Sequence, residues 1–259
     1  MKKLFLFSLV LFSGCSVRSV YVPTSQNVLL FDDRKQVQTN AYVGGNHIEL
    51  QIAHNPINHF TVGLNINYGA GLSIYEGSLG LYNYSKQDAK WRYELIAGAG
   101  YTNNYSQQNH EWFSFLKETK SNYETIALYS KFYIQPGFGF FSKIAMYKIA
   151  YSFSFTCRAA YLNFNKYVYR EINADSSLIV NHPIYIVNKE FYNKGLFLFE
   201  PCITNKVGVK NVAAVIQGQF MIPYSDQIDI RYTKFSPVFI FSLGLQYTIP
   251  FKKRKAETQ

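Results

Sequence analysis

The stretch PVFIFSLGLQYTIPF, residues 237–251, alternates between two kinds of side chain along its length. One face carries large apolar residues such as Phe239 and Leu245, and the other carries small or polar residues such as Gly244 and Gln246. A period of two residues is the signal of a β-strand. The run is also longer than the usual strand of a soluble sheet, about 5–6 residues. These residues therefore predict a long strand with one apolar and one polar face.

The same alternation recurs along the chain, and its polar face is rich in Ser, Gly, Gln and Asn. A sandwich exposed to water would carry more Lys and Glu there, whereas a crowded barrel interior needs small and amide side chains. We therefore predict an all-β fold, an up-and-down antiparallel transmembrane β-barrel of about ten strands, with roughly eight to twelve possible. The predicted strands lie near residues 37–44, 47–54, 59–68, 74–84, 91–104, 123–140, 146–163, 195–205, 210–222 and 237–250.

Composition excludes two other classes of protein. Aromatic residues make up 18% of the 259 residues and charged residues only 16%, which is not the composition of a disordered chain. Only one long apolar run is present, at the N-terminus, so a bundle of transmembrane helices is excluded as well. Abundant Tyr and Phe with moderate hydropathy fit a barrel that spans a membrane.

The predicted connections give an independent check on the barrel. Short connections near residues 55–58, 85–90, 142–146 and 206–210 alternate with longer ones, the longest being residues 105–121 and 164–193. This alternation of short turns and long loops is typical of outer-membrane barrels. An even number of strands also brings both termini to the same end, which we expect to be periplasmic.

The N-terminus predicts export. Basic Lys2 and Lys3 precede a short apolar run, and small residues lead to Cys15. The run is too short to span a bilayer, so we predict a lipoprotein signal peptide at residues 1–14 and lipidation of Cys15. An ordinary signal peptide with an incidental cysteine is the alternative. The expected organisation is then a lipidated linker at residues 15–36, a barrel at residues 37–251 and a basic tail at residues 252–259.

Residues 21–31, YVPTSQNVLLF, followed by residues 37–69, resemble the start of a family of lipid-anchored or exported outer-membrane β-barrel proteins of Gram-negative bacteria. The resemblance covers nearly the whole chain after the signal peptide, and its motifs are structural. It implies an outer-membrane location and the barrel fold, and it offers no catalytic residues to transfer.

Charged residues on the polar faces are expected to meet inside the barrel. A barrel of about ten strands has a narrow lumen, so long side chains of both signs should form a salt-bridged and hydrogen-bonded plug. A narrow polar conduit would use the same residues and is the alternative. The predicted network comprises Glu49, Glu76, Arg92, Glu94, Lys131, Arg158 and Glu200.

Aromatic residues in the two longest predicted loops are candidate contacts for an extracellular protein or glycan. They could equally belong to the interfacial girdle or fold over the mouth of the barrel. The candidates are Trp112, Phe113, Phe115, Tyr167 and Tyr169.

The sequence contains no catalytic motif and no metal-ligand spacing, so we predict no enzyme activity, no cofactor and no metal. Cys157 and Cys202 fall on opposite faces of neighbouring strands, so a disulfide between them is not expected.

The net charge of +10 falls to +8 when the signal is removed with Lys2 and Lys3. Export excludes nucleic acid as a partner, and the basic tail would meet anionic lipid. The expected partners are outer-membrane lipids and the barrel-assembly and lipoprotein-sorting machinery.

Taken together, these features predict an outer-membrane barrel lipoprotein with a structural or partner-binding role. A narrow diffusion channel and a periplasm-facing soluble β-sandwich lipoprotein are the alternatives.

Overall fold

The computed structural model describes residues 21, 23–26, 36–44, 47–69, 71–84, 91–114, 117–144, 149–173, 185–226, 228 and 238–250. Within these residues the secondary structure is β-strand joined by turns. In the described part of the chain, no helix has the length and apolar character needed to cross a membrane.

The long alternating segments form the strands. Their bounds are β1 Gln36–Gly44, β2 His47–Ile57, β3 Phe60–Gly69, β4 Leu72–Tyr84, β5 Trp91–Ser114, β6 Lys117–Ile144, β7 Ile149–Asn173, β8 Tyr185–Phe191, β9 Lys194–Val209, β10 Val212–Tyr224 and β11 Val238–Pro250.

Ten of these strands close into an antiparallel barrel. Sequential neighbours pair from β1 to β7, then β7 pairs with β9, β9 with β10 and β10 with β11. The barrel closes where β11 pairs with β1, from Gln36 opposite Pro250 to Val43 opposite Leu243. Among the described residues, β8 pairs with the far part of β7. This closure confirms the predicted all-β barrel of about ten strands. It also pairs the backbone groups that two edge strands would otherwise leave open.

The predicted faces of the strands are confirmed. Outward residues such as Leu64 and Leu245 are exposed, at 64% and 62%, whereas inward polar residues such as Gln51 and Asn67 are buried. The opposite placement of the two cysteines also holds, since Cys202 is buried inside, Cys157 is half-buried and both are free. The barrel is thus apolar outside and polar inside.

The two ends of the barrel differ. One end, which we call the turn end, holds the turn at Asn58 and His59 and the turn at Lys210 and Asn211, and both His59 and Lys210 have positive φ angles. β1 begins and β11 ends there, which confirms that the barrel returns its termini to one side. We call the opposite end the hairpin end.

The predicted long loops are wrong in extent. β5 and β6 stay paired from Trp91 opposite Phe140 to Ser114 opposite Lys117, so most of residues 105–121 is strand. Residues 164–173 likewise continue β7, and residues 185–191 form β8. The alternation of apolar residues fades in these segments because a ladder that extends past the apolar belt no longer needs an apolar outer face.

Gly244 lies where two strands approach closely. A Cβ added there would lie 2.5 Å from Cδ1 of Tyr42 and 2.9 Å from the main-chain oxygen of Ala41. Gly244→Ala is expected to lower the free energy of unfolding by about 1–3 kcal/mol, because the wall must shift to admit the methyl group. The midpoint temperature at which the folded band is lost on a denaturing gel measures this. Gly77→Ala is the matched control, since its Cβ would meet no atom within 4 Å. Equal midpoints for the two variants would contradict the close approach.

Candidate functional site

A short piece of the N-terminal chain lies inside the barrel. Tyr21 and residues 23–26, which we call the luminal segment, belong to no strand and are all buried. Within residues 15–36 we expected only a linker, and for these five residues that expectation is corrected. These residues can be buried there because polar side chains of the wall supply hydrogen-bond partners for their main-chain groups. The short polar sequence carries no periodicity, so the segment could not be found from the sequence.

Side chains of the wall hold the main chain of the luminal segment. The Ser25 N–H donates to Oε2 of Glu49 over 2.8 Å, and Nε2 of Gln51 donates to the Ser25 carbonyl over 2.6 Å. From β10, three strands away from β2 around the barrel, Nε2 of Gln217 donates to the Gln26 carbonyl over 2.7 Å. Gln51 also donates to Oε1 of Glu49 over 2.8 Å, and this bond orients the two side chains that contact Ser25.

Thr24 lies at the centre of the luminal charges. Its hydroxyl is 3.1 Å from both carboxylate oxygens of Glu76. Nη1 of Arg158 donates to the same hydroxyl over 2.7 Å and lies 3.4 Å from the Thr24 carbonyl, and Nζ of Lys131 is 3.4 Å from the hydroxyl. One threonine therefore contacts an acidic and two basic groups of the wall.

The charges around Thr24 are paired across strands. Nζ of Lys131 lies 2.9 Å from Oε1 of Glu76, and both side chains are 1% exposed. Nη1 of Arg158 lies 3.7 Å from Oε2 of Glu200. Gln135 accepts from Nε and Nη2 of Arg158 over 3.1 and 3.0 Å, which holds the guanidinium in place. These contacts offset part of the cost of burying the ions.

Tyr21 lies on the hairpin-end side of this cluster. Its hydroxyl donates to Oε1 of Glu200 over 2.5 Å, and its ring centre is 6.1 Å from that of Tyr129. It packs into an apolar layer beside the polar cluster. The layer contains Tyr21, Ala127, Tyr129, Ala160, Leu162, Phe164, Tyr167, Tyr169, Leu196, Leu198, Met221 and Ile228.

The structure places all seven residues of the predicted network on the inner face. Glu94 is half-buried and the other six are buried, and Lys206, which the sequence places in a turn, joins them on β9. Lys206 donates to Oε1 of Gln246 over 2.7 Å. Among the described residues, the predicted network together with Lys206 comprises four cations and four carboxylates: Arg92, Lys131, Arg158 and Lys206 with Glu49, Glu76, Glu94 and Glu200.

A cavity of about 170 Å³ opens at the turn end. Lys206, Gln246 and Gln38 line it together with the turn at Lys210. It lies on the side of the luminal segment where β1 begins.

Four of the five candidate contact aromatics lie on strands. The backbone of Trp112 and Phe113 belongs to β5, while Phe115 and Cys15 lie outside the described residues. Tyr167 and Tyr169 are buried on β7, and the Tyr167 ring stacks on Phe191 of β8 at 4.4 Å. Both rings lie in the apolar layer and not on an exposed loop, and their role as partner contacts stays a prediction.

The sheet order and its closure define the class: a closed, ten-stranded, antiparallel β-barrel with a polar interior. No family model and no curated protein sequence matches the chain.

Among solved structures, the KdgM porin aligns with 83% of this chain and 99% of its own, at 7% identity and a TM-score of 0.33. Outer membrane protein Omp33 of Acinetobacter baumannii aligns with 84% and 98%, at 8% identity and a TM-score of 0.28. The translocator domain of autotransporter NalP from Neisseria meningitidis aligns with 82% and 86%, at 10% identity and a TM-score of 0.30. With scores this low, the fold assignment rests on the strand pairing of this chain itself.

Proposed function

We propose that the protein is an outer-membrane channel whose lumen is closed by its own luminal segment. The observation that carries this proposal is a piece of main chain inside the wall, held by side chains and not by strand pairing. Small barrels are usually filled by wall side chains alone. Here the wall encloses room for a main chain, and the surface around it is polar. Withdrawal of the segment would leave a hydrated path.

The outer surface supports a membrane location. Large apolar side chains stand exposed on strands all around the barrel, among them Leu64, Phe132, Phe199 and Phe220. A soluble protein rarely exposes a continuous apolar surface of this kind, whereas a barrel in lipid requires it. We propose the outer membrane as the location, with its lipids and the barrel-assembly and lipoprotein-sorting machinery as partners.

A lipid anchor at Cys15 is part of the same proposal. Six positions separate Cys15 from Tyr21, at most about 22 Å of extended chain. An acyl chain in the membrane and a luminal segment in place would therefore share one short tether. Movement of the anchor relative to the barrel would pull directly on Tyr21.

The channel proposal is tested by conductance in planar bilayers. The full chain is expected to give rare, brief openings, whereas deletion of residues 21–26 should give a steady open level, because the obstruction is gone. Deletion of six residues from the tail, 253–258, is the matched control and should leave the lumen closed. A deletion variant that assembles but does not conduct would show that wall side chains fill the lumen and would refute the channel.

The inward charges set an expectation for the open state. In the described part of the barrel, the network and Lys206 bring together four cations and four carboxylates, so the vacated lumen should discriminate weakly between small cations and anions. Reversal potentials in a salt gradient measure this selectivity.

A structural or partner-binding role is the second candidate. β4 begins at Leu72, opposite Asn104, whereas β5 continues beyond that pair with β6 to Ser114 and Lys117. The paired strands thus project well beyond the shorter wall at the hairpin end, which suits contact with a protein or glycan. Replacing residues 108–121 by a two-residue turn should abolish binding to immobilised glycans, or to a defined protein partner, without changing conductance. Unchanged binding would refute this role for the hairpin.

A further inference from the structure

We propose that the vacated lumen binds an extended peptide supplied from outside the chain. This inference rests on the proposed function, because it requires that the luminal segment can leave. The wall does not merely enclose the segment: it makes hydrogen bonds to the main chain of three consecutive residues, Thr24, Ser25 and Gln26. A site built around main-chain groups remains able to recognise a peptide after its own segment has left.

The contacts at Ser25 resemble those that a neighbouring β-strand would provide. Glu49 accepts the N–H, and Gln51 donates to the carbonyl of the same residue. Both side chains project from β2 and are buried. Main-chain bonding of this kind gives affinity for extended peptides with little dependence on sequence, as in peptides that add a strand to a sheet. The ligand class is therefore an extended polypeptide, and small solutes lack the repeating donors and acceptors.

Two side chains of the luminal segment add specificity. The Thr24 hydroxyl reaches Glu76 and Arg158, and no apolar side chain could replace those contacts. The Tyr21 ring enters the apolar layer while its hydroxyl donates to Glu200. The preferred ligand therefore carries an aromatic residue, best a tyrosine, three positions before a threonine or serine.

The test uses the chain lacking residues 21–26 and a fluorescent synthetic peptide, Tyr-Val-Pro-Thr-Ser-Gln, with blocked ends. Fluorescence anisotropy in detergent should show saturable binding to the deletion variant and none to the full chain, where the site is filled. N-methylation at the position of Ser25 removes the donor to Glu49 and should weaken binding about tenfold or more. The Ser25→Ala peptide keeps both main-chain bonds and should bind much like the parent.

Three outcomes would overturn the inference. In the first, the deletion variant conducts but does not bind the peptide. In the others, the N-methylated and parent peptides bind with equal affinity, or the full chain binds the peptide as well as the deletion variant does. The first leaves the channel proposal intact, whereas a peptide that binds to a non-conducting variant supports the inference and counts against the channel. If the deletion variant does not assemble, the full chain carrying Thr24→Val has weakened contacts to its own segment. It should then bind the same peptide more strongly than the unchanged chain does.

Discussion

Glu76→Gln is expected to lower the free energy of unfolding by about 3–5 kcal/mol, because it breaks a buried ion pair and leaves the cation behind. Lys131 lies 2.9 Å from the Glu76 carboxylate, and each side chain is 1% exposed. Asn65 and Thr24 also donate to this carboxylate, over 3.2 and 3.1 Å. Loss of the negative charge thus leaves buried positive charge without compensation. Urea unfolding of the protein in lipid vesicles measures the change.

A second ion pair in the same protein provides the control. Arg170 and Glu124 lie 3.0 Å apart, but their side chains are 32% and 24% exposed. Because solvent screens such a pair, Glu124→Gln should cost only about 0–1 kcal/mol. The double variant Glu76→Gln with Lys131→Gln should recover part of the loss, since no buried charge of the pair is then left alone. Equal small losses for Glu76→Gln and Glu124→Gln would mean that water fills the lumen around Glu76.

The same charges serve the wall and the luminal segment. Glu76, Lys131 and Arg158 pair across the wall, and each also lies within hydrogen-bond range of the Thr24 hydroxyl. Removal of the segment would not leave these charges without partners, because the ion pair between Lys131 and Glu76 and the hydrogen bond from Arg158 to Gln135 both lie within the wall. The wall is therefore able to persist with the lumen vacated, which a gated channel requires.

The wall of the barrel could be predicted from the sequence because two different environments act on alternate residues. Phe239 and Leu245 meet apolar surroundings while Gln246 and Gly244 face the lumen, and the predicted strand at 237–250 is β11, Val238–Pro250. The same alternation correctly predicted that charged residues such as Glu76 and Arg158 lie inside the barrel. Period-two patterning is a strong signal where both faces are constrained.

Two features, the extended strands and the luminal segment, could not be predicted from the sequence because neither requires alternating apolar and polar residues. The extended parts of β5, β6 and β7 keep their pairing without an apolar outer face, so residues 105–121 resemble a loop in sequence. The luminal segment is recognised mainly through its main chain, which every sequence shares. Thr24 and Tyr21 contribute side-chain contacts, but the partners Glu76 and Glu200 lie 52 and 179 residues away. No local pattern records contacts over such separations.

Leu64→Arg is expected to lower the free energy of unfolding in a bilayer by about 2–4 kcal/mol, because it places a charge at mid-height on the lipid-facing surface. Leu64 is the fifth residue of the ten-residue strand β3 and is 64% exposed. The loss of stability in this variant would come from the cost of placing a charge in lipid and not from changed packing within the protein. Guanidinium or urea unfolding in vesicles measures the effect.

Ile57→Arg is the matched control, because Ile57 is equally exposed, at 63%, but is the last residue of β2 beside a turn. Near the edge of the apolar belt the arginine reaches water, so the expected cost is about 0–1 kcal/mol. A difference between the two sites therefore reports depth in a membrane. A barrel whose outer surface faces water predicts a different result: both exposed substitutions would stay within about 0.5 kcal/mol of the parent, and the protein would remain folded without lipid or detergent. That result would refute the membrane location and, with it, the channel.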